Sequence, residues 1–150
     1  MATQLATRRA SDEADIRRRL EKLVHAVRAM DLETLKTMYA PNIVSFDIEP
    51  PLRHLGAEAK WKNWEKVFTI YQRPLEYEAR DLTITVGDDV AFGHLLARLS
   101  GTLKNGTRSG YWVRWTACLR KIDDRWMIVH DQISVPVDFQ SGRALLDLEP

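Results

Sequence analysis

The chain lacks several features that would assign it to a special class of protein. Its 150 residues include one cysteine, Cys118, so neither an internal disulfide nor a cysteine-based zinc site can form. No apolar run approaches the roughly 20 residues that a membrane-spanning helix needs, and the N-terminus has no hydrophobic signal core. These absences predict a soluble protein of a reducing compartment, the cytoplasm.

An excess of charge of one sign is also missing. The 22 lysines and arginines nearly balance 21 acidic residues, for a formal net charge of +1, so neither nucleic acid nor a membrane is an expected partner. The sequence has no repeats, low-complexity tracts or interdomain linkers. It therefore predicts one domain over residues 1–150, with a loose leader at residues 1–10. An apolar tail at residues 136–150 is expected to pack on the domain or on a partner subunit.

The first half of the chain has the periodicity of helices. A first amphipathic helix follows an N-cap at Ser11 or Asp12, and its apolar stripe consists of Ile16, Leu20, Leu23, Val24 and Val27. A second helix, Leu32 to Tyr39, ends before Pro41. A third helix, roughly residues 57–71, has an aromatic seam that is expected to be mostly core, with one end lining a pocket.

The rest of the chain alternates in the way that strands do. A change of parity near Arg80-Asp81 predicts a bulge, and Asn105-Gly106 and Asp123-Asp124 predict hairpin turns. An earlier strand over residues 42–48 is expected to place Asp47 outside, opposite its apolar residues. Helices followed by an antiparallel meander predict an α+β fold.

The parity of the C-terminal strands predicts a cavity and a dimer surface. Their odd-numbered residues are apolar or small, so this face is expected to meet the helices and leave a hollow between them. The even-numbered face, which includes His130, mixes Trp, Arg and apolar side chains as homodimer interfaces do. The expected ligand-binding side chains are Trp61, Trp64, Phe68, Leu95, Tyr111, Trp115 and Val129.

Asp131 interrupts the inward apolar row and is the candidate catalytic residue. A carboxylate in such a hollow could move a proton beside a carbonyl or an enol, which predicts cofactor-free isomerisation, cyclisation or dehydration of a small hydrophobic molecule. The alternative is a non-catalytic ligand-binding or dimerisation module, with Asp131 paired to a neighbour as buried charges usually are. An enclosed Asp131 without a cation favours the enzyme, whereas an exposed or ion-paired Asp131 favours the module.

Other chemistry has no support in the sequence. No paired spacing of His, Asp, Glu or Cys predicts a metal site, and no glycine-rich phosphate or dinucleotide motif is present. We therefore expect neither a metal nor a cofactor.

Several stretches together resemble one known superfamily. They are IVSFDIEPPLRHLG at residues 43–56, VGDDVAF at 86–92, WVRWTACLRKIDDRW at 112–126 and IVHDQISVP at 128–136. From about Ser11 to Leu148 the chain is similar to the nuclear transport factor 2-like superfamily. Within it, the chain most resembles the SnoaL-like, ketosteroid isomerase homologue proteins, and it is also similar to calcium/calmodulin-dependent kinase association domains.

The resemblance implies a cystatin-like cone, in which a curved antiparallel sheet wraps around the N-terminal helices and usually dimerises through the sheet. In SnoaL-type cyclases an acid on the last strand is the general acid/base, and Asp131 has a similar place. Many relatives have the sequence His-Glu-His at the positions where this chain has His130-Asp131-Gln132. The pockets of the association domains carry arginines. By this resemblance, the corresponding residues of this chain are Ala97, Ala117 and Ile133, which implies a pocket less cationic than that of the association domains.

Overall fold

The computed structural model describes all 150 residues as three helices and eight strands. The helices are α1 (Ala2–Arg28), α2 (Leu32–Lys36) and α3 (Ala57–Ile70). The strands are β1 (Tyr39–Phe46), β2 (His54–Leu55), β3 (Glu76–Val86), β4 (Val90–Thr102), β5 (Arg108–Ile122), β6 (Arg125–Ser134), β7 (Val137–Asp138) and β8 (Arg143–Ala144). The first six strands form one curved sheet in the order β2-β1-β6-β5-β4-β3. The predicted α+β fold is confirmed.

One pairing makes the sheet mixed rather than antiparallel throughout. β1 runs parallel to β6 and pairs Ser45 with Asp131, whereas the other neighbouring strands are antiparallel. A parallel pair needs a long crossover, and here α3 and the β3–β5 meander separate the two strands. The pairing places a small hydroxyl side chain directly beside Asp131.

The apolar stripe of α1 packs into the concave face of this sheet. Ile16, Leu23 and Val27 are buried there together with Leu20, as the helical periodicity predicts. Full burial of each large aliphatic side chain stabilises the fold by about 1.5–3 kcal/mol. None of the helices combines the length and the apolarity that crossing a bilayer would require.

Residues 2–10 are helical, which corrects the prediction of a loose leader. α1 begins at Ala2 and these first residues are exposed on its surface. Residues 1–10 contain no glycine or proline, and alanine, leucine, arginine and glutamine favour helix. The expected N-cap at Ser11 or Asp12 therefore lies inside the helix, and Asp12 is buried.

α2 is shorter than predicted, because the chain already enters β1 at Tyr39. In the tail, β7 and β8 form a small hairpin. The Trp112 indole N–H donates a hydrogen bond of 2.8 Å to Glu149, so the end of the tail contacts the sheet of its own chain.

A bulge in β3 and a bulge in β6 each change whether the odd-numbered or the even-numbered residues of the strand face inward. The register of β3 against β4 shifts between Arg80 and Thr83, where Asp81 has φ +59°, which confirms the predicted bulge. The second was not predicted: Leu119 pairs with Ile128, but Cys118 pairs with His130, so Val129 is the extra residue in β6.

The bulge at Val129 changes which residues of β6 point inward. Before it, the even-numbered Trp126 and Ile128 are buried, and after it the odd-numbered Asp131 is buried. The prediction that odd residues face inward along the whole strand is therefore wrong for its first half and right for Asp131. His130 lies on the outer side, as predicted, where its Nδ1 is 2.6 Å from the Val44 carbonyl oxygen.

Asp12 connects α1 to the sheet through side-chain hydrogen bonds. Its carboxylate accepts hydrogen bonds from Lys121 Nζ at 2.7 Å and from Trp126 Nε1 at 3.2 Å. Burial raises the pKa of Asp12, but the two donors and the Lys121 charge outweigh that effect and hold it below its ordinary value. A depressed native pKa stabilises the fold at neutral pH, and this contribution is lost as the pH falls through the native pKa.

Substitution of Asp12 tests this contact. Asp12→Ala leaves the Lys121 ammonium and the Trp126 N–H without their acceptor, so we expect the free energy of unfolding in urea at pH 7 to fall by about 1–3 kcal/mol. The loss should shrink in acid, because the wild-type carboxylate becomes protonated there. Asp15→Ala, at an exposed position of the same helix, should cost less than about 0.5 kcal/mol. Equal losses in the two variants would contradict the assignment.

Candidate functional site

A cavity of about 170 Å³ opens between α3 and the concave face of the sheet. It is similar in size to an engineered cavity of about 150 Å³ that holds benzene. Of its 18 lining residues, 13 are hydrophobic, so a ligand would be enclosed mainly by apolar surface. The aromatic lining residues are Tyr39, Trp64, Tyr71, Tyr77, Tyr111 and Trp115, and the charged ones are Asp47, Glu49, Lys60 and Asp131.

The cavity brings together half of the side chains that the sequence predicts for the site. Those that line it are Trp64, Tyr111, Trp115 and Asp131. Those that lie elsewhere are Trp61, Phe68, Leu95 and Val129. Trp61 and Phe68 pack against the core from other positions on α3, and Leu95 belongs to the core itself. Val129 is the bulge residue of β6.

The face of α3 that meets the cavity includes polar residues that the aromatic seam did not predict. Lys60, Asn63, Trp64 and Val67 line the cavity, at the i, i+3, i+4, i+7 spacing of one helix face. Lysine and asparagine are usually exposed, so periodicity alone favours the aromatic residues of α3 as the lining. Two features of the sequence could have identified Lys60 as an inward-facing residue. Its neighbours at i−3 and i+4 are apolar, and an inward-facing Asp131 needs a cation nearby.

A salt bridge is buried at this face of the helix. Lys60 Nζ lies 3.0 Å from Asp131 Oδ2, and the two residues are 3% and 1% exposed. The Ser45 hydroxyl and the Trp115 indole N–H, at 3.3 Å, also donate to the Asp131 carboxylate. Buried charges are tolerated when they are paired and hydrogen-bonded, and Asp131 meets both conditions.

The Lys60 ammonium is fully occupied within the protein. Besides Asp131, it contacts Asp47 Oδ2 at 3.1 Å and Ser45 Oγ at 3.2 Å, so three partners account for its three N–H donors. Burial lowers the pKa of Lys60, but the surrounding charges, Asp131 first, outweigh it and raise that pKa above its ordinary value. Lys60 is therefore a cation at neutral pH. We call Ser45, Asp47, Lys60 and Asp131 the Lys60 cluster.

Asp47 lies in the cavity, which corrects its predicted position outside. The Ile48 N–H and Asn63 Nδ2 donate to its carboxylate at 2.8 and 3.3 Å. Burial raises the pKa of Asp47, but the charge and hydrogen bond of Lys60 together with the Ile48 and Asn63 donors outweigh it, so the net shift is downward. Ser45 in β1 and Asp47 just after it point inward to Lys60, and Phe46 on the opposite parity is 39% exposed.

Tyr39 connects the Lys60 cluster to the aromatic wall. Its hydroxyl accepts a 2.8 Å hydrogen bond from Trp64 Nε1, and its ring lies 5.9 Å from Lys60 Nζ. Burial raises the pKa of Tyr39 to about 12, so the phenol is neutral at physiological pH. The cavity thus has one polar end, with charged groups, beside neutral aromatic side chains.

Removal of Lys60 tests the energetic role of the cluster. Lys60→Met leaves the buried Asp131 carboxylate without its cation, and we expect a loss of about 3–5 kcal/mol in the free energy of unfolding. The double variant Lys60→Met/Asp131→Leu should recover much of that loss, because no unpaired charge remains at Asp131. Lys62→Met, on the exposed side of α3, is the control and should cost less than about 0.5 kcal/mol. Additive losses in the double variant would argue against coupling.

Comparison with known proteins places this chain in a family. Residues 16–138 match the SnoaL-like domain family. A nuclear transport factor 2-like protein from Pseudomonas putida is 29% identical over 94% of this chain and 98% of its own, with a TM-score of 0.85.

Two further solved structures share the fold at lower identity. A ketosteroid isomerase-like protein from Erwinia carotovora is 19% identical over 81% of this chain and 93% of its own, with a TM-score of 0.65. The association domain of the Caenorhabditis elegans kinase CaMKII is 18% identical over 85% and 98%, with a TM-score of 0.66. No functionally curated protein matches the sequence. Because the family match covers most of the chain, this protein belongs to the SnoaL-like domain family.

Proposed function

We propose that the protein binds a small, largely apolar molecule in the cavity, and that Asp131 maintains the site rather than transferring protons. The observation that carries this proposal is the environment of Asp131, whose carboxylate meets Lys60, Ser45 and Trp115. A general base needs a lone pair within reach of the substrate proton. At 1% exposure and with three donors already in place, Asp131 is a poor candidate for that role.

The size and lining of the cavity define the kind of ligand. A volume of about 170 Å³ suits a molecule with a single ring. Trp64, Tyr111 and Trp115 offer large apolar surfaces from α3 and from β5, and burial of apolar ligand surface provides the main driving force for binding. Asp47, at the polar end of the cavity, would orient the ligand.

The enzymatic alternative shares this cavity. Cofactor-free isomerisation, cyclisation or dehydration would use Asp131 as the proton carrier, and the SnoaL-like fold accommodates isomerase-type domains as well as binding domains. The salt bridge to Lys60 favours the binding module over this alternative, because a catalytic carboxylate would have to release a buried cation in order to accept a proton.

We further propose that a second copy of the chain docks on the outer face of the sheet. Phe92, Cys118, His130 and Phe46 follow one another across strands β4, β5, β6 and β1, and we call them the outer stripe. Phe92 and Phe46 are 45% and 39% exposed. An exposed apolar stripe flanked by polar residues is typical of protein–protein contact surfaces.

Two tryptophans on α3 provide a matched test of ligand binding. Trp64→Ala removes a wall of the cavity, so we expect affinity for single-ring aromatic compounds to fall roughly tenfold or more, which corresponds to about 1.4 kcal/mol. Trp61→Ala removes the same side chain one turn away, outside the cavity lining, and should leave the affinity within about twofold. Calorimetric titration of both variants and the wild type gives the comparison.

Two results would contradict the proposed function. The first is equal weakening by Trp61→Ala and Trp64→Ala, which would place the ligand elsewhere. The second is catalytic turnover of a bound compound that Asp131→Asn abolishes while binding persists, since this would make Asp131 a proton carrier.

The outer stripe is tested by the oligomeric state. Phe92→Glu places a charge at the β4 end of the outer stripe, and light scattering after gel filtration should show a monomer where the wild type is a dimer. Phe139→Glu is the control, because that side chain is 98% exposed in the tail, and it should remain dimeric. A wild type that stays monomeric at high concentration would overturn the dimer proposal.

A further inference from the structure

We propose that the ligand of this cavity is an amine, an aromatic or alkyl ammonium compound, and that carboxylic acids are rejected. This inference rests on the proposed function, since it specifies the charge of the molecule that binds. It follows from which charged groups of the lining are already satisfied and which remain available.

The one cation of the lining cannot serve an anionic ligand. Lys60 directs its three donors to Asp131, Asp47 and Ser45, at 3.0, 3.1 and 3.2 Å, and it is 3% exposed. An incoming carboxylate would have to displace one of these partners and leave it unpaired in a buried position. That displacement is unfavourable because a buried group without its partner keeps the full desolvation cost.

The cavity lining contains carboxylate oxygens that can accept further hydrogen bonds. Asp47 is 17% exposed at its side chain, and its Oδ1 receives only the Ile48 N–H, so a lone pair remains. Glu49 also lines the cavity and is exposed, and its carboxylate takes part in no salt bridge. The lining contains three carboxylates and a single ammonium, and the cavity therefore carries a formal charge of −2.

The aromatic lining adds to the preference for a cation. The faces of tryptophan and tyrosine rings attract ammonium groups when these lie within about 6 Å of the ring centre. Trp64 and Tyr111 line the same cavity as Asp47 and Glu49. An ammonium group near Asp47 would thus meet carboxylate oxygens and ring faces, while its apolar part occupies the rest of the cavity.

Three compounds that share one ring test the charge preference. They are 2-phenylethylamine, 2-phenylethanol and phenylacetate, which are respectively cationic, neutral and anionic at pH 7. We expect the amine to bind at least roughly tenfold more tightly than the alcohol, and phenylacetate more weakly than either. ¹H–¹⁵N NMR titration measures the three affinities and shows whether the shifted signals belong to cavity residues. Added salt should weaken the amine alone.

Neutral variants of Asp47 and Glu49 show whether these two carboxylates cause the preference for the amine. Asp47→Asn and Glu49→Gln keep the shape of the side chains, and each should reduce the ratio of amine affinity to alcohol affinity, measured within the same variant, by roughly threefold or more. Glu58→Gln is the control, because Glu58 is exposed on α3 outside the cavity. It should have no effect on either compound.

The outcomes separate this inference from the proposed function. Tightest binding by phenylacetate, or equal affinity for all three compounds, would overturn the amine inference and leave the binding function intact. Absence of shifts at cavity residues with all three compounds at millimolar concentration would overturn both. Preference for the amine that disappears in Asp47→Asn or Glu49→Gln supports the proposal.

Discussion

A carboxylate that is 1% exposed needs a cation, and Lys60 supplies it to Asp131 at 3.0 Å. This requirement links three elements: β6 provides Asp131, α3 provides Lys60, and β1 provides the Ser45 hydroxyl. The rotation of α3 and the inward parity of β1 both follow from it, because each must turn a polar residue toward the concave face. Buried ion pairs are weak sources of net stability, so the value of this pair lies in fixing the arrangement of the cavity.

Local signals predicted most of the fold. Gly106 and the residues Asp123 and Asp124 have positive φ, as the hairpin signals at those positions require, and the apolar stripe of α1 is buried. The bulge near Asp81 was visible as a change of parity in β3. These features depend on residues close together in the sequence, so a reading of periodicity and turn chemistry can identify them.

Tertiary contacts decided the part that the sequence did not predict. Lys60 faces inward because of two carboxylates on distant strands, and the extra residue at Val129 has no composition signal of its own. The sequence does not predict helix at residues 2–10 because Ser11 and Asp12 resemble caps, although Asp12 instead binds Lys121 and Trp126. Asp131 faces inward as predicted, whereas four of the seven expected ligand-binding residues lie outside the cavity lining.

The ionisation of Lys60 tests the central claim most directly, since the cavity, the position of α3 and the role of Asp131 all depend on the buried pair. A ¹⁵N NMR titration of the lysine side chains can follow it, with Lys60→Met identifying the signal. The account predicts that the Lys60 ammonium stays protonated beyond the pH at which the exposed lysines titrate, because Asp131 and Asp47 raise its pKa. A Lys60 signal that titrates below those of the exposed lysines would contradict it.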